Sequence, residues 1–202
     1  GTTGEPKGVM LTHGNICSNA SAAGAEVYVG PDDIFLSFLP LSHSFERMAG
    51  HFLAIYVGSK IYYAESIERL LDNLAEVRPT VMASVPRIYE KVYTKFMAQR
   101  DAAKGIKRKI IDMAMATGYE ASRRTQAGGT LGPGLMARYA VAKKLVFSKL
   151  SDKLGGRIRF CVSGGAPLSR EVQEFFHAAG ILVLEGYGLT ATSPALTCNR
   201  PE

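Results

Sequence analysis

The first eight residues, Gly1-Thr2-Thr3-Gly4-Glu5-Pro6-Lys7-Gly8, bring together three glycines, two hydroxyls and one ammonium. Glycines let a backbone approach an anion, and hydroxyls and a lysine meet its oxygens, so this composition suits a loop that wraps phosphate. The order is not that of a Walker A loop, in which Gly-Lys-Ser/Thr runs straight into a helix. Here Lys7 is followed by Gly8-Val9-Met10-Leu11, an apolar, strand-like run, which disfavours a P-loop kinase or ATPase. A Gly/Pro hairpin with a solvated lysine is the competing reading.

Two later stretches have related chemistry. Ser163-Gly164-Gly165-Ala166-Pro167-Leu168 follows an apolar run and leads into a helix start. Its backbone can lie flat against a planar ligand with the amides left as donors, although a tight strand-to-helix turn calls for the same glycines. Gly186-Tyr187-Gly188-Leu189-Thr190 sets an aromatic ring between two glycines. Its uncrowded face can stack on a base, or it is a core tyrosine beside a turn.

The segments that must position these stretches alternate in character. Asn15 to Val27, rich in alanine and small residues, suits a helix packed closely on a sheet, and Pro31-Asp32-Asp33 breaks it. Short apolar runs at 34–39, 60–63, 80–85, 157–162 and 181–184 predict strands, the first of them buried on both faces. Helical patterns cover 45–57 and the segment after Ser66, which can act as a cap with Glu68 in the first turn and Leu70, Leu71 and Leu74 on one side. Ser169 caps another helix to about Ala178. The alternation predicts an α/β fold, a mostly parallel sheet with crossover helices. From Pro86 to Leu154 the rhythm changes to long helices, at 87–100, 104–122 and 135–154, with a Gly-rich break at 126–134. This is a helical insertion of about 94–156 rather than a separate domain. In such sheets ligands bind at the carboxyl ends of strands, where both later stretches fall.

Taken in order, the three stretches resemble the signature of the adenylate-forming superfamily. Leu39-Pro40-Leu41-Ser42-His43-Ser44-Phe45-Glu46-Arg47 and Val85-Pro86-Arg87-Ile88-Tyr89-Glu90-Lys91 look like its long-chain fatty acid CoA ligase branch. The resemblance spans nearly the whole chain and implies that 1–202 is part of the ATP- and acyl-binding N-terminal domain of an acyl-adenylate synthetase, with the small C-terminal domain lacking. It implies that Thr2, Thr3, Gly4 and Lys7 hold phosphate, that Gly164, Gly165 and Ala166 line an adenine pocket, and that Tyr187, between Gly186 and Gly188, stacks on the base. Thr190 then contacts phosphate, and His43 borders the acyl and phosphate end of the pocket and positions substrate. Lys7, Thr190 and His43 are the residues expected nearest the chemistry.

Glu46, Arg47 and Arg87 mark the long-chain branch, and an internal ion pair explains them as well as catalysis does. Family members usually carry a glutamate after the threonine of the third motif, where it helps hold Mg²⁺ on the ATP phosphates. This chain has Ala191, and a methyl group cannot bind a hard cation, so no protein metal ligand is expected there. The implied reaction joins a long-chain fatty acid to ATP as acyl-AMP, releases pyrophosphate, and transfers the acyl group to coenzyme A, with ATP, Mg²⁺ and coenzyme A as cofactors. The family's ribose-binding aspartate and its mobile C-terminal lysine lie downstream, so a chain of this extent is expected not to turn over alone. An adenylating ligase for another carboxylic acid, or a non-catalytic basic module binding nucleic acid or anionic lipid, are the alternatives.

At 202 residues and 47% hydrophobic content the chain can bury one sizeable core. No apolar run approaches the roughly 20 residues of a membrane span and no basic-then-apolar leader opens it, so a soluble cytoplasmic protein is expected. Three widely spaced cysteines fit neither a disulfide framework nor a zinc knuckle, and reduced thiols in or near the core are expected. The net charge of +6 is local: 94–159 holds 15 Lys/Arg against 4 Asp/Glu, leaving the remainder near −5. That block reads as a solvated helical face or as a peripheral membrane contact, with nucleic acid not expected.

Overall fold

The computed structural model describes residues 8–200; Thr2, Thr3, Gly4 and Lys7 lie outside them. Beyond Gly8 the run to Leu11 forms no strand, and Met10 is 97% exposed with no sheet face to bury it. Helix α1 (His13–Val27) starts on a reciprocal cap. The Thr12 hydroxyl accepts from the Asn15 amide at 3.1 Å, and Asn15 Oδ1 accepts from the Thr12 amide at 3.0 Å.

Thereafter strands and helices alternate. β1 (Ile34–Ser37) is followed by a helical segment made of α2 (Ser44–Glu46), a π-helical stretch (Arg47–Phe52) and α3 (Leu53–Val57). β2 (Lys60–Tyr63), α4 (Leu70–Val77) and β3 (Val81–Ser84) precede the helical region, α5 (Pro86–Ala102), α6 (Gly105–Gln126), α7 (Pro133–Ala142), a second π-helical stretch (Lys143–Phe147) and α8 (Ser148–Lys153). β4 (Phe160–Ser163), α9 (Arg170–Ala178), β5 (Leu182–Gly188) and β6 (Ala195–Cys198) complete the chain. The sheet order is β2-β1-β3-β4-β5-β6, parallel through β5, with β6 antiparallel at the edge.

Helices cover both faces of the sheet, so its inner strands are mostly apolar and successive side chains enter opposite cores. Phe35, Val81, Ala83, Phe160 and Leu184 pack with Val27, Met48, Leu53 and Ala54 on the face of α1 and α3. Leu36, Met82, Cys161 and Val183 pack with Leu74, Tyr89, Phe147, Phe175 and Phe176 on the other. Each such large side chain contributes about 1.5–3 kcal/mol by leaving water. The long helices share this second core. Ser122 Oγ lies 2.7 Å from His177 Nδ1, and the Tyr139 hydroxyl donates to the Ala178 carbonyl at 3.0 Å, so α6 and α7 are fastened to α9.

The amino ends of β1, β3 and β4 are tied by one buried carboxylate. Arg159 Nη1 donates to both oxygens of Asp33, at 2.7 and 2.6 Å, and the Thr80 hydroxyl donates to Oδ1 at 2.6 Å. Burial pushes the Asp33 carboxyl up, but the hydrogen bonds from Arg159, Thr80 and the Gly30 amide outweigh it and hold it below its usual range.

Several local expectations need correction. Ser66 does not cap a helix: α4 begins at Leu70, Ser66 Oγ accepts from the Arg69 amide at 3.3 Å, and Glu68 lies in the intervening turn. Leu70 and Leu74 are buried four residues apart, whereas Leu71 is rotated off that face and 48% exposed. β5 runs on through Gly186 to Gly188 because β6 (Ala-Leu-Thr-Cys) pairs with it antiparallel, a strand not among those expected from the sequence. All three cysteines are free, but Cys17 sits on the exposed side of α1, while burial pushes the Cys161 thiol up to about 12. Among the described residues no helix is long and apolar enough to cross a membrane.

Candidate functional site

At the carboxyl edge of the sheet Ser84, Ser163 and Glu185 stand in register on β3, β4 and β5. The segments leaving these strand ends, and the one leaving β1, meet above that edge. After β1 the chain turns at Pro40 and His43 caps α2, its Nδ1 accepting from the Phe45 amide at 3.2 Å. That bond leaves the proton of the neutral ring on Nε2. Arg47 donates from Nε to the Leu41 carbonyl at 2.7 Å and so clamps the turn; it makes no ion pair with Glu46, contrary to the internal-pair reading.

Glu46 is 1% exposed and receives the Ser37 hydroxyl at 2.6 Å. Burial pushes its carboxyl up to about 7, against the pull of Ser37 and the amides of Phe38 and Leu39. A Cβ on Gly50 would overlap Glu46 Oε1, so glycine is what lets the helix close over this group.

Two contacts join the segment 39–47 to the two later motifs. The Ser44 and Thr190 hydroxyls are 3.2 Å apart, linking the start of α2 to the turn after β5. Gly164 lies against Phe45 so closely that a Cβ would come within 2.5 Å of the ring, linking α2 to the loop after β4. Gly164 also donates to the Ser84 carbonyl at 3.1 Å and so extends the ladder, after which Gly165, at φ +83°, turns the chain out. Gly165 and Ala166 are exposed, and the Leu168 amide is held by Glu185 Oε1 at 2.9 Å. By the strand alternation Tyr187 lies on the same face of β5 as Glu185, with 61% of its surface open. An exposed aromatic ring and an exposed glycine-rich backbone at one sheet edge are groups that suit a planar base, and the Ser44 and Thr190 hydroxyls suit phosphate oxygens. Ser163 Oγ, buried at the end of β4, has no hydrogen-bond partner among the described residues.

Residues 1–202 match the family model described as AMP-binding enzyme. The chain belongs to the AMP-binding enzyme family. It is 40% identical over 195 residues to the peroxisomal long chain acyl-CoA synthetase 6 of Arabidopsis thaliana, covering 96% of this chain and 26% of that protein. It is also 40% identical over 207 residues to the long-chain-fatty-acid–CoA ligase FadD15 of Mycobacterium tuberculosis, covering 99% and 33%. The chain therefore spans about a quarter to a third of the length of these relatives. Among solved structures it resembles a malonyl-CoA ligase ternary product complex with methylmalonyl-CoA and AMP bound (TM-score 0.63, 20% identity, 100% of this chain and 34% of that one). ATP-bound MatB from Rhodopseudomonas palustris is similar (TM-score 0.61, 24% identity, 99% and 29%). Both share the fold of this chain.

Of the site residues expected from the sequence, the structure brings His43, Gly164, Gly165, Ala166, Gly186, Tyr187, Gly188 and Thr190 to one edge of the sheet. Arg87 is exposed on α5, outside that convergence. Ala191 is exposed in the turn Thr190–Thr192, and among the described residues no group of three or more His, Cys, Asp or Glu could hold a metal ion. The described donors do not fit a magnesium ion held by protein carboxylates. Asn19 also belongs to this edge, without a signal in the sequence. Its Nδ2 donates to the Ala195 carbonyl at 2.7 Å and its Oδ1 accepts from the Ala195 amide at 3.1 Å, tying α1 to the strand just beyond the Thr190 turn. An asparagine among small helical residues carries no local sign of a partner 176 positions away.

Proposed function

We propose that this chain supplies the ATP- and acyl-binding part of an AMP-forming long-chain fatty acid CoA ligase. The observation that carries the reading is the convergence of the segment 39–47 with the motifs at 163–168 and 186–190, through Ser44–Thr190 and Phe45–Gly164, at the carboxyl edge of a parallel sheet. The names of the relatives at 40% identity supply the substrate class.

In this reading the adenine lies between Tyr187 and the backbone of Gly164 to Ala166, and Thr190 and Ser44 donate to phosphate oxygens. Thr2, Thr3, Gly4 and Lys7 join them from the stretch that runs into α1, while His43 borders the acyl end. No general base is required. A fatty acid carboxylate, with a pKa of about 4.3 like that of glutamate, is already ionised at neutral pH. Its oxygen attacks the α-phosphorus, the bond from that phosphorus to the bridging oxygen breaks, and pyrophosphate leaves with the electron pair. The thiolate of coenzyme A then attacks the acyl carbonyl and AMP departs. The chain's own contribution is to hold the reactants in line and to stabilise charge on the phosphates. Magnesium and coenzyme A belong to this proposal, and no step is routed through the metal.

AMP release from ATP, palmitate and coenzyme A by the full-length polypeptide tests it. Thr190→Val should lower kcat by about 10²-fold, the scale of one preorganised donor, with little change in the KM for palmitate. An unchanged kcat would remove Thr190 from the chemistry, and turnover with benzoate or acetate but not palmitate would reassign the acid.

A further inference from the structure

The helical layer over one sheet face contains a groove that shares no residue with the site above. The second half of α5, the first half of α6 and the segment 145–154 form its wall, and Val92, Phe96, Ile106, Ile110, Leu145 and Leu150 line a cavity of about 740 Å³. That is the size of a small-molecule site. Its apolar lining is open to water, with Ile106 77% and Leu145 51% exposed.

The charges on the wall have one sign: Lys95, Arg100, Lys107, Lys149 and Lys153. Arginine and lysine divide the labour in this layer. Arg100 and Arg108 share Asp101 and Asp112, and Arg124 and Arg138 share Glu120. Among the described residues every ion pair of the layer is made by an arginine, and the four exposed lysines of the groove form none, with Asp152 the one carboxylate on α8, the helix of Lys149 and Lys153. Apolar walls with an unneutralised cationic rim complement a molecule that has an apolar chain and an anionic head. The chain would displace water from Phe96, Ile106, Ile110 and Leu145, and the head would meet ammonium groups on flexible stems.

We infer that the groove between α5, α6 and α8 binds one single-chain anionic amphiphile, at a site separate from the proposed nucleotide site. The inference stands on the groove alone and does not require the ligase reading. Photolabelling of the full-length polypeptide with a diazirine analogue of palmitate tests it, in competition with palmitate, hexadecanol and phosphatidylcholine–phosphatidylserine vesicles. Labelled peptides should cover 92–111 and 145–154, and palmitate should compete far better than hexadecanol. Ile106→Asp, Lys149→Glu and Lys153→Glu should each lower labelling at least about fivefold, the effect of one basic group beside an anion. Should Ile106→Asp fail to fold, the two exposed lysine variants carry the test. AMP release from palmitate by these variants should be unchanged, so a failed ligase assay and a failed groove are told apart. Labelling confined to 37–57 and 163–190, equal competition by hexadecanol, labelling only from vesicles, or an unlabelled groove shielded by another part of the polypeptide would each overturn the inference.

Discussion

Asp33 and Glu46 are both almost fully buried, at 4% and 1% exposure, and both sit at ends of the same sheet, yet their surroundings drive them in opposite directions. Asp33, at the amino end, has a guanidinium on both oxygens and stays ionised below its usual range. Glu46, at the carboxyl end, has only neutral donors, and burial raises it to about 7. Burial alone therefore does not set the charge state; the partner does. The amino end is locked by a charge network spanning β1, β3 and β4. The carboxyl end is held by hydroxyls, amides and glycine contacts, and Gly165, Ala166 and Tyr187 stay exposed there.

The largest effect should come from breaking the lock. Arg159→Ala strands a buried carboxylate, and since the arginine side chain is itself 47% exposed the loss should be about 2–4 kcal/mol, somewhat below that of a fully buried pair. Denaturant midpoints at pH 7 check this, and Asp33→Asn added to Arg159→Ala should recover part of the loss. A midpoint unmoved by Arg159→Ala would show that the network does not hold the strand ends together.

The two carboxyls should also show opposite pH dependence. Asp33, lowered on folding, contributes stability above its ordinary value of 3.8 that is lost as pH falls through its folded value. Glu46, raised from 4.5 to about 7, favours the folded state most below 4.5, and that contribution is lost as pH rises towards 7. The decline across this window should amount to up to about 3 kcal/mol, and Glu46→Gln should flatten it. Unfolding free energies at pH 4.5, 5.5 and 7 for both proteins decide the point, and equal slopes would mean that Glu46 stays ionised.

Much of this architecture was legible because it is local. Short apolar runs between turn residues gave all the parallel strands, and Ser169 announced α9, since its hydroxyl takes the Val172 amide. The motifs marked the carboxyl edge. What could not be read depends on distant pairing. β6 exists because Gly186 to Gly188 offers it an edge, and α1 is fixed to it by Asn19. Asp33 looked like a helix-breaking turn residue until Arg159, 126 positions on, closed over it. Glu46 looked like half of an ion pair, and the sequence could not show that its partner is a serine nine residues back.

At the open end the close packing of Gly164 should be next in size. Gly164→Ala drives a methyl group into the Phe45 ring and should cost about 1–3 kcal/mol, as overpacking does. If the ring shifts, the start of α2 moves with it, so the KM for ATP should rise as well. Phe45→Leu in the same chain should relieve the stability loss, and a double variant no more stable than Gly164→Ala would show that the ring is not what the methyl group meets.

The smallest effect on stability should be the most informative about function. Ser44 is half-buried and Thr190 exposed, and their 3.2 Å hydroxyl contact is worth about 0.5–1 kcal/mol at most, because water can replace it. Ser44→Ala should therefore leave the unfolding midpoint almost unchanged. The same contact fixes the Thr190 hydroxyl relative to α2, so its loss should lower kcat for AMP release by about tenfold, which is 1.4 kcal/mol in the transition state. That is less than for Thr190→Val, because the reacting oxygen keeps its direct donor. Ser44→Thr, which keeps the hydroxyl, should restore activity. If Ser44→Ala lowers stability and kcat in the same proportion, the pair is a structural clasp. If kcat falls while the midpoint holds, the neutral, weakly bonded edge works as a preorganised phosphate site, the counterpart of the charged lock at the other end of the sheet.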